Sequence, residues 1–222
     1  MSQIETLSDR DHAAQVLRLG LPLVGSHLAQ IAIYLTDSVM LGRYSVEALA
    51  GQALGSTMFF VIFIVGSGFA LTVMPMVARA HASHEPLQVR RVTRMGLWIS
   101  MAYAAVLIPV LYMSESILRA MGQTDAVASV AGAYLRLAGW GLIPALLVMV
   151  IKSYLSALER TQIVLWVTLA AVALNIAINW LLIFGNLGFP ELGVRGAAVA
   201  SVMVAAASAL ALMLYAAGMQ AG

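Results

Sequence analysis

Six apolar runs, each near the length that spans a bilayer, fill most of this 222-residue chain and leave few folds open. They cover Val16–Leu41, Ala48–Val77, Val92–Tyr112, Ala126–Leu155, Ile163–Phe184 and Gly196–Ala217. An α-helix needs roughly 20 residues to cross the hydrocarbon layer. An unpaired backbone group is costly in lipid, so only helices and closed barrels span it. A barrel needs period-two alternation, which these runs lack. The expected fold class is therefore all-α and integral to the membrane: a six-transmembrane-helix bundle forming one domain over residues 1–222. The chain is 62% hydrophobic and 10% charged, whereas a soluble domain is about a quarter charged. The joins, such as "GRYSVE" and "ALERTQ", are short and polar, with no repeat or long linker between them.

The same composition narrows function. A net charge of +2 with no basic cluster among aromatics points away from nucleic acid. The absence of cysteine removes disulfides and thiolate metal sites. His12, His27, His81 and His84 do not follow a metal-ligand spacing. No Walker loop, GxGxxG or Ser–His–Asp set stands out, so neither an ATPase nor another enzyme is expected, and no cofactor is implied. "MSQIETLSDRDHAAQ" carries acids where a cleaved leader has a basic region.

Loop arginines and lysines set the expected orientation. Arg10, Arg18, Arg79, Arg90, Arg91, Arg94, Lys152 and Arg160 fall on the N-terminal side; Arg43, Arg119, Arg136 and Arg195 fall opposite. This bias places both termini in the cytoplasm and the chain in the cell inner (plasma) membrane as a multi-pass protein. Arg136 and Lys152, near the ends of the fourth run, can extend to the interfaces.

Polar residues inside the runs mark the candidate site. In the first run His27, Gln30, Tyr34 and Asp37 follow steps of three, four and three, which is one helical face. Pro22 removes a backbone donor below them and offers a hinge. This stripe either lines a water-accessible cavity or ends at the outer interface, where Arg43 could pair with Asp37. An acid within a membrane helix costs roughly 2.5–3.5 kcal/mol on insertion scales, and function is its default explanation. In the fifth run Asn175 and Asn179 are four apart and Thr168 shares their stripe. If the two helices adjoin, Asp37, Asn175 and Asn179 converge at one depth; otherwise the amides simply bond between helices. Such oxygens suit a proton or a hard cation such as Na+. An apolar wall opposes a charged carboxyl, and either ion would neutralise it. Gln52 and Ser56 share a face of the second run and are expected to line the same cavity. Pro144 is expected to kink the fourth run.

Three segments, "RLGLPLVGSHLAQIAIYLTDSVMLGRYSVEALAG", "LNIAINWLLIFG" and "PELGVRGAAVAS", occur in order over nearly the whole chain from Arg18. Together they resemble the amino-terminal half of the multidrug and toxic compound extrusion (MATE) transporters, in the NorM-like branch. The resemblance implies one lobe of a twelve-helix, two-lobe antiporter that exchanges Na+ or H+ for organic cations, drugs and other toxic compounds. The family's first-helix proline, glutamine and aspartate fall on Pro22, Gln30 and Asp37, and its paired asparagines on Asn175 and Asn179. An aspartate that archaeal relatives carry on the fifth helix is missing here, so their two-aspartate proton site is not expected. The chain stops where the family continues into a second lobe, so a missing C-terminal lobe or a second copy is an expected partner. The rival readings are a flippase for lipid-linked saccharides, whose cavities are typically basic, and a non-transporting membrane scaffold.

Overall fold

The computed structural model describes the backbone of residues 9–221 and the side chains of residues 17–219 except Leu19. The N-terminal stretch read for a leader and the side chains of Arg10 and His12 lie outside these residues. Eight α-helices follow one another: α1 (Asp9–Tyr44), α2 (Val46–Ala82), α3 (Pro86–Tyr112), the short α4 (Ser114–Ala120), α5 (Asp125–Ala138), α6 (Leu142–Ala157), α7 (Thr161–Phe184) and α8 (Val194–Ala221). A single 3-10 turn, Gly139–Gly141, joins α5 to α6, so the two make one pass. Apart from α4 this is the six-helix, all-α arrangement expected from the runs.

Local chemistry sets the ends. Ser45, extended at φ −163°, accepts a hydrogen bond from the Ala48 amide at 2.9 Å, and Glu47 occupies the first turn of α2. Both features answer the unpaired amides and positive end of a helix. Pro86 opens α3, where its missing donor is not needed. Pro144 is the third residue of α6, again within a first turn. The pass breaks at Gly139–Gly141, which holds Trp140, the residue four before Pro144 whose carbonyl loses its helical donor, so the irregularity expected of Pro144 is found there. α1 runs unbroken through Pro22.

Gly185 ends α7 in the left-handed conformation (φ 68°, ψ 29°). A Cβ there would lie 2.9 Å from the Glu191 amide nitrogen. Gly185→Ala is therefore expected to cost roughly 1–2 kcal/mol for the conformation alone, read as a lower midpoint of thermal unfolding in detergent. An unchanged midpoint would contradict this account of the turn.

Among the described residues five segments are long and apolar enough to cross a membrane: Val46–Ala82, Pro86–Tyr112, Asp125–Ala157, Thr161–Phe184 and Val194–Met219. α1, though 36 residues long, is not among them. Arg18, Ser26, His27, Gln30 and Asp37 dilute its apolar run, so it needs neighbours to shelter it. It lies chiefly against α7, which packs in turn on α8, while α2 lies against α3, α5 and α6. The core is mostly aliphatic, with Val73, Val77, Val150, Leu155 and Leu212 at one end and Leu111, Leu135, Leu142 and Leu146 further along. The outer faces carry exposed apolar side chains such as Leu28, Ile31, Phe60, Val61 and Trp98, as a lipid-facing surface requires.

Candidate ion-binding site

The α1–α7 contact creates the site. Asp37 on α1 is 6% exposed, while Asn175 and Asn179 on α7 are wholly buried. Their spacing of one helical turn lets both amides reach one carboxylate oxygen. Asn175 Nδ2 donates to Asp37 Oδ1 at 3.1 Å, and Asn179 Nδ2 donates to the same oxygen. Asn179 Nδ2 also approaches Asn175 Oδ1 at 3.2 Å. The interfacial alternative for Asp37 falls, since Arg43 is exposed and no ion pair to Asp37 forms among the described residues.

Two further helices complete the cluster. Ser201 on α8 is within hydrogen-bonding reach of Asp37 and of the buried Tyr134 on α5. One acceptor is left over: Asn179 Oδ1 is buried with no hydrogen-bond partner among the described residues. A carboxylate, an unsatisfied amide oxygen and two hydroxyls together form an oxygen set suited to a hard monovalent cation, or to a proton on the carboxyl.

Beside the cluster lies a cavity of about 210 Å³ whose lining includes Gln30, Phe63, Thr168, Asn175, Ser201 and Ser208. Gln30 and Thr168 both line this cavity, although the Thr168 hydroxyl is occupied by the Val164 carbonyl at 2.7 Å. His27 and Tyr34 are exposed on α1, Tyr34 at 51%, and neither lines this cavity. Gln52 and Ser56 do not line it either. Gln52 is buried within the bundle, and the Ser56 hydroxyl turns back to the Ala53 carbonyl at 3.2 Å. That back-bond satisfies a serine within its own helix and removes the reason to face a cavity.

Tyr134 and Ser201 were absent from the sequence reading. Ser201 sits in a small-residue run that reads as close helix contact, and nothing in a single helix marks which serine meets an acid. A tyrosine in an apolar segment is a weak signal of a buried hydroxyl seeking a partner. Arg136 does not stand alone at its interface: it pairs with Glu115 at 2.6 Å, and Glu115 also holds Arg119 at 2.9 Å. Lys152 does not reach an interface at all, since it is 7% exposed. Among the described residues no group of three or more His, Cys, Asp or Glu side chains is placed to hold a metal ion.

Known proteins give these observations a setting. The MatE family profile matches residues 22–181. The chain is 47% identical over 194 residues to a probable multidrug resistance protein NorM of Rhizobium meliloti, covering 87% of this chain and 42% of that protein. It is 41% identical over 204 residues to a protein of the same description from Agrobacterium fabrum, covering 92% of this chain and 44% of that one. The chain thus spans less than half the length of these relatives. Among solved structures, a MOP superfamily transporter from Pyrococcus furiosus superimposes with a TM-score of 0.82 at 21% identity, over 91% of this chain and 44% of that one. The eukaryotic MATE transporter AtDTX14 superimposes with a TM-score of 0.85 at 18% identity, over 91% of this chain and 45% of that one. These two likenesses concern the fold alone.

Proposed function

This chain belongs to the MatE family, and from that premise we propose that it is the amino-terminal lobe of a cation-coupled efflux antiporter. The lobe takes up Na+ or H+ at Asp37 and, together with a second lobe or a second copy, exchanges it for organic cations, drugs or other toxic compounds. The observation that carries this reading is the buried Asp37 carboxyl, gripped by Asn175 and Asn179 beside the unsatisfied Asn179 Oδ1. The names of the two relatives supply the class of cargo.

The physical sequence is short. A cation or proton arriving at the cluster neutralises Asp37, and the amides no longer face a full negative charge. The attraction that draws α1 onto α7 at this depth therefore weakens. Pro22 lies fifteen residues before Asp37 on α1 and leaves one backbone carbonyl without its helical donor. That makes the helix easiest to bend there when its outer half is released. Gln30 at the cavity wall gives an entering ion a polar step before the carboxylate. Leaving out the buried Lys152, seven arginines on the N-terminal side against four opposite support both termini lying in the cytoplasm of a plasma-membrane protein.

The test is uptake of a fluorescent organic cation into inverted vesicles holding the protein, with Na+ and pH gradients imposed separately. Accumulation driven by at least one gradient is expected. Uptake indifferent to both would overturn the coupling reading.

A further inference from the structure

Lys152 is the only lysine among the twelve basic residues of the chain, the other eleven being arginines. It is also the only Lys or Arg among the buried polar side chains of the described residues. Its Nζ is buried and has no hydrogen-bond partner among those residues. A buried ammonium with no partner is strongly disfavoured, and an ionisable group within a membrane helix marks function by default. Lysine differs from arginine in that it can give up its proton when buried. The one basic side chain inside the bundle is thus the one able to exchange a proton.

Its position in the bundle suggests what it exchanges with. On α6 the cavity beside Asp37 is lined by Ala145, Val148 and Met149. Lys152 follows Met149 by three residues and Val148 by four, so it lies on the same face one turn further on, about 5.4 Å along the axis. α1 and α7 start at this end of the bundle, while Asn175 and Ser201 line the cavity toward Asp37. The cavity of about 210 Å³ is roomy enough for water, with Gln30, Thr168, Ser201 and Ser208 as polar partners. α6 packs on α2, α3, α7 and α8. At this end these helices carry Arg79 and His81, Arg90, Arg91 and Arg94, and Tyr215; α7 begins after Glu159 and Arg160. The basic and acidic groups in this set are exposed at the surface, and no ion pair to Lys152 forms among the described residues.

We propose that Lys152 is the inner proton-exchange group of the lobe, passing protons along the cavity between its own end of the bundle and Asp37. The Nζ lone pair takes a proton from water at that end, and the ammonium hands one to water in the cavity. The chain ends with a proton on an Asp37 carboxylate oxygen, and return to the free amine resets the relay. One proton crosses and no electrons move. The assignment rests on Asp37 being the coupling site.

The test uses the chain in lipid nanodiscs after a rapid pH step, followed by tryptophan fluorescence, with Trp180 next to Asn179 as sensor. Wild type is expected to respond and Asp37→Asn to stay flat. Lys152→Met and Lys152→Arg should reach the wild-type endpoint about tenfold more slowly or worse. Arginine keeps the charge but not the exchange, so it should rescue nothing. A response retained in Asp37→Asn overturns the Asp37 reading itself. A flat Asp37→Asn with both Lys152 variants at wild-type rate overturns only the relay, and so does rescue by arginine. A second measurement leaves Lys152 intact. With 13C-labelled lysine the chain gives a single side-chain signal, which should move with pH in wild type and move differently in Asp37→Asn. An identical response in the two proteins would count against the relay.

Discussion

Asp37→Asn is expected to abolish the coupling-ion response of the α1–α7 site while leaving the lobe folded. Asp37 is the only acid among the buried polar residues described, so no other buried carboxyl among them can take its place. Asparagine has the same shape and keeps an oxygen for the amides of Asn175 and Asn179, so the α1–α7 contact loses about 1 kcal/mol or less. Removing a buried charge also removes its desolvation cost, which offsets that loss. The effect on ion binding is far larger. A ligand that binds only the folded state stabilises it by about 2.7 kcal/mol at a hundredfold excess over its Kd. Wild type should therefore melt at a higher temperature as Na+ or acid saturates the site, and Asp37→Asn should lose that gain. In the full-length antiporter proposed above, the variant should be made normally and resistance to toxic cations lost. An Asp37→Asn protein that still gains stability from Na+ or acid would remove Asp37 from the coupling role.

What could be read from sequence was whatever a single helix determines. The spacing of Asn175 and Asn179, and of Gln30 and Asp37, is a property of helical period, and the structure brings the two asparagines onto the aspartate. Which helices adjoin is not a property of one helix. Ser201 and Tyr134 therefore went unmarked, although both stand at the carboxyl or beside it. Lys152 misled for a related reason. It lies five residues before the end of α6, within reach of an interface on an isolated helix, but neighbouring helices bury it. Gln52 and Ser56 share a polar face of α2, where the structure has one buried amide and one hydroxyl bonded to its own helix. Even the apolar runs carried an ambiguity: α1 was counted with the rest, yet its polar stripe leaves it outside the five segments apolar enough to span on their own.

Gly196→Ala is expected to damage both stability and the ion site, because it acts on the spacing of the two helices that frame the cluster. The loop after α7 folds back so that the Leu192 and Gly193 amides donate to the Leu182 and Ile183 carbonyls, at 2.9 and 3.3 Å. α8 therefore starts hard against the end of α7. A Cβ on Gly196 would lie 2.5 Å from the Leu182 carbonyl oxygen, 2.7 Å from its carbon and 3.0 Å from the Ile183 nitrogen. These are backbone atoms and cannot rotate aside, so a helix must move. Overpacking of this kind costs about 1–3 kcal/mol. The displacement also carries Ser201 on α8 away from Asp37, while Asn175 and Asn179 stay with α7. Gly68 provides the control: it too is inside a helix, but a Cβ there meets nothing within 4 Å. Gly68→Ala should be neutral or stabilising by about 0.5–1 kcal/mol from helix propensity. Thermal unfolding with and without saturating Na+ or acid separates the two consequences. Gly196→Ala should melt lower and gain less from the ion than wild type, and Gly68→Ala should melt no lower and gain as much. A Gly196→Ala protein of wild-type stability would show that α7 and α8 do not meet as closely as this, and the position assigned to Ser201 would fall with them.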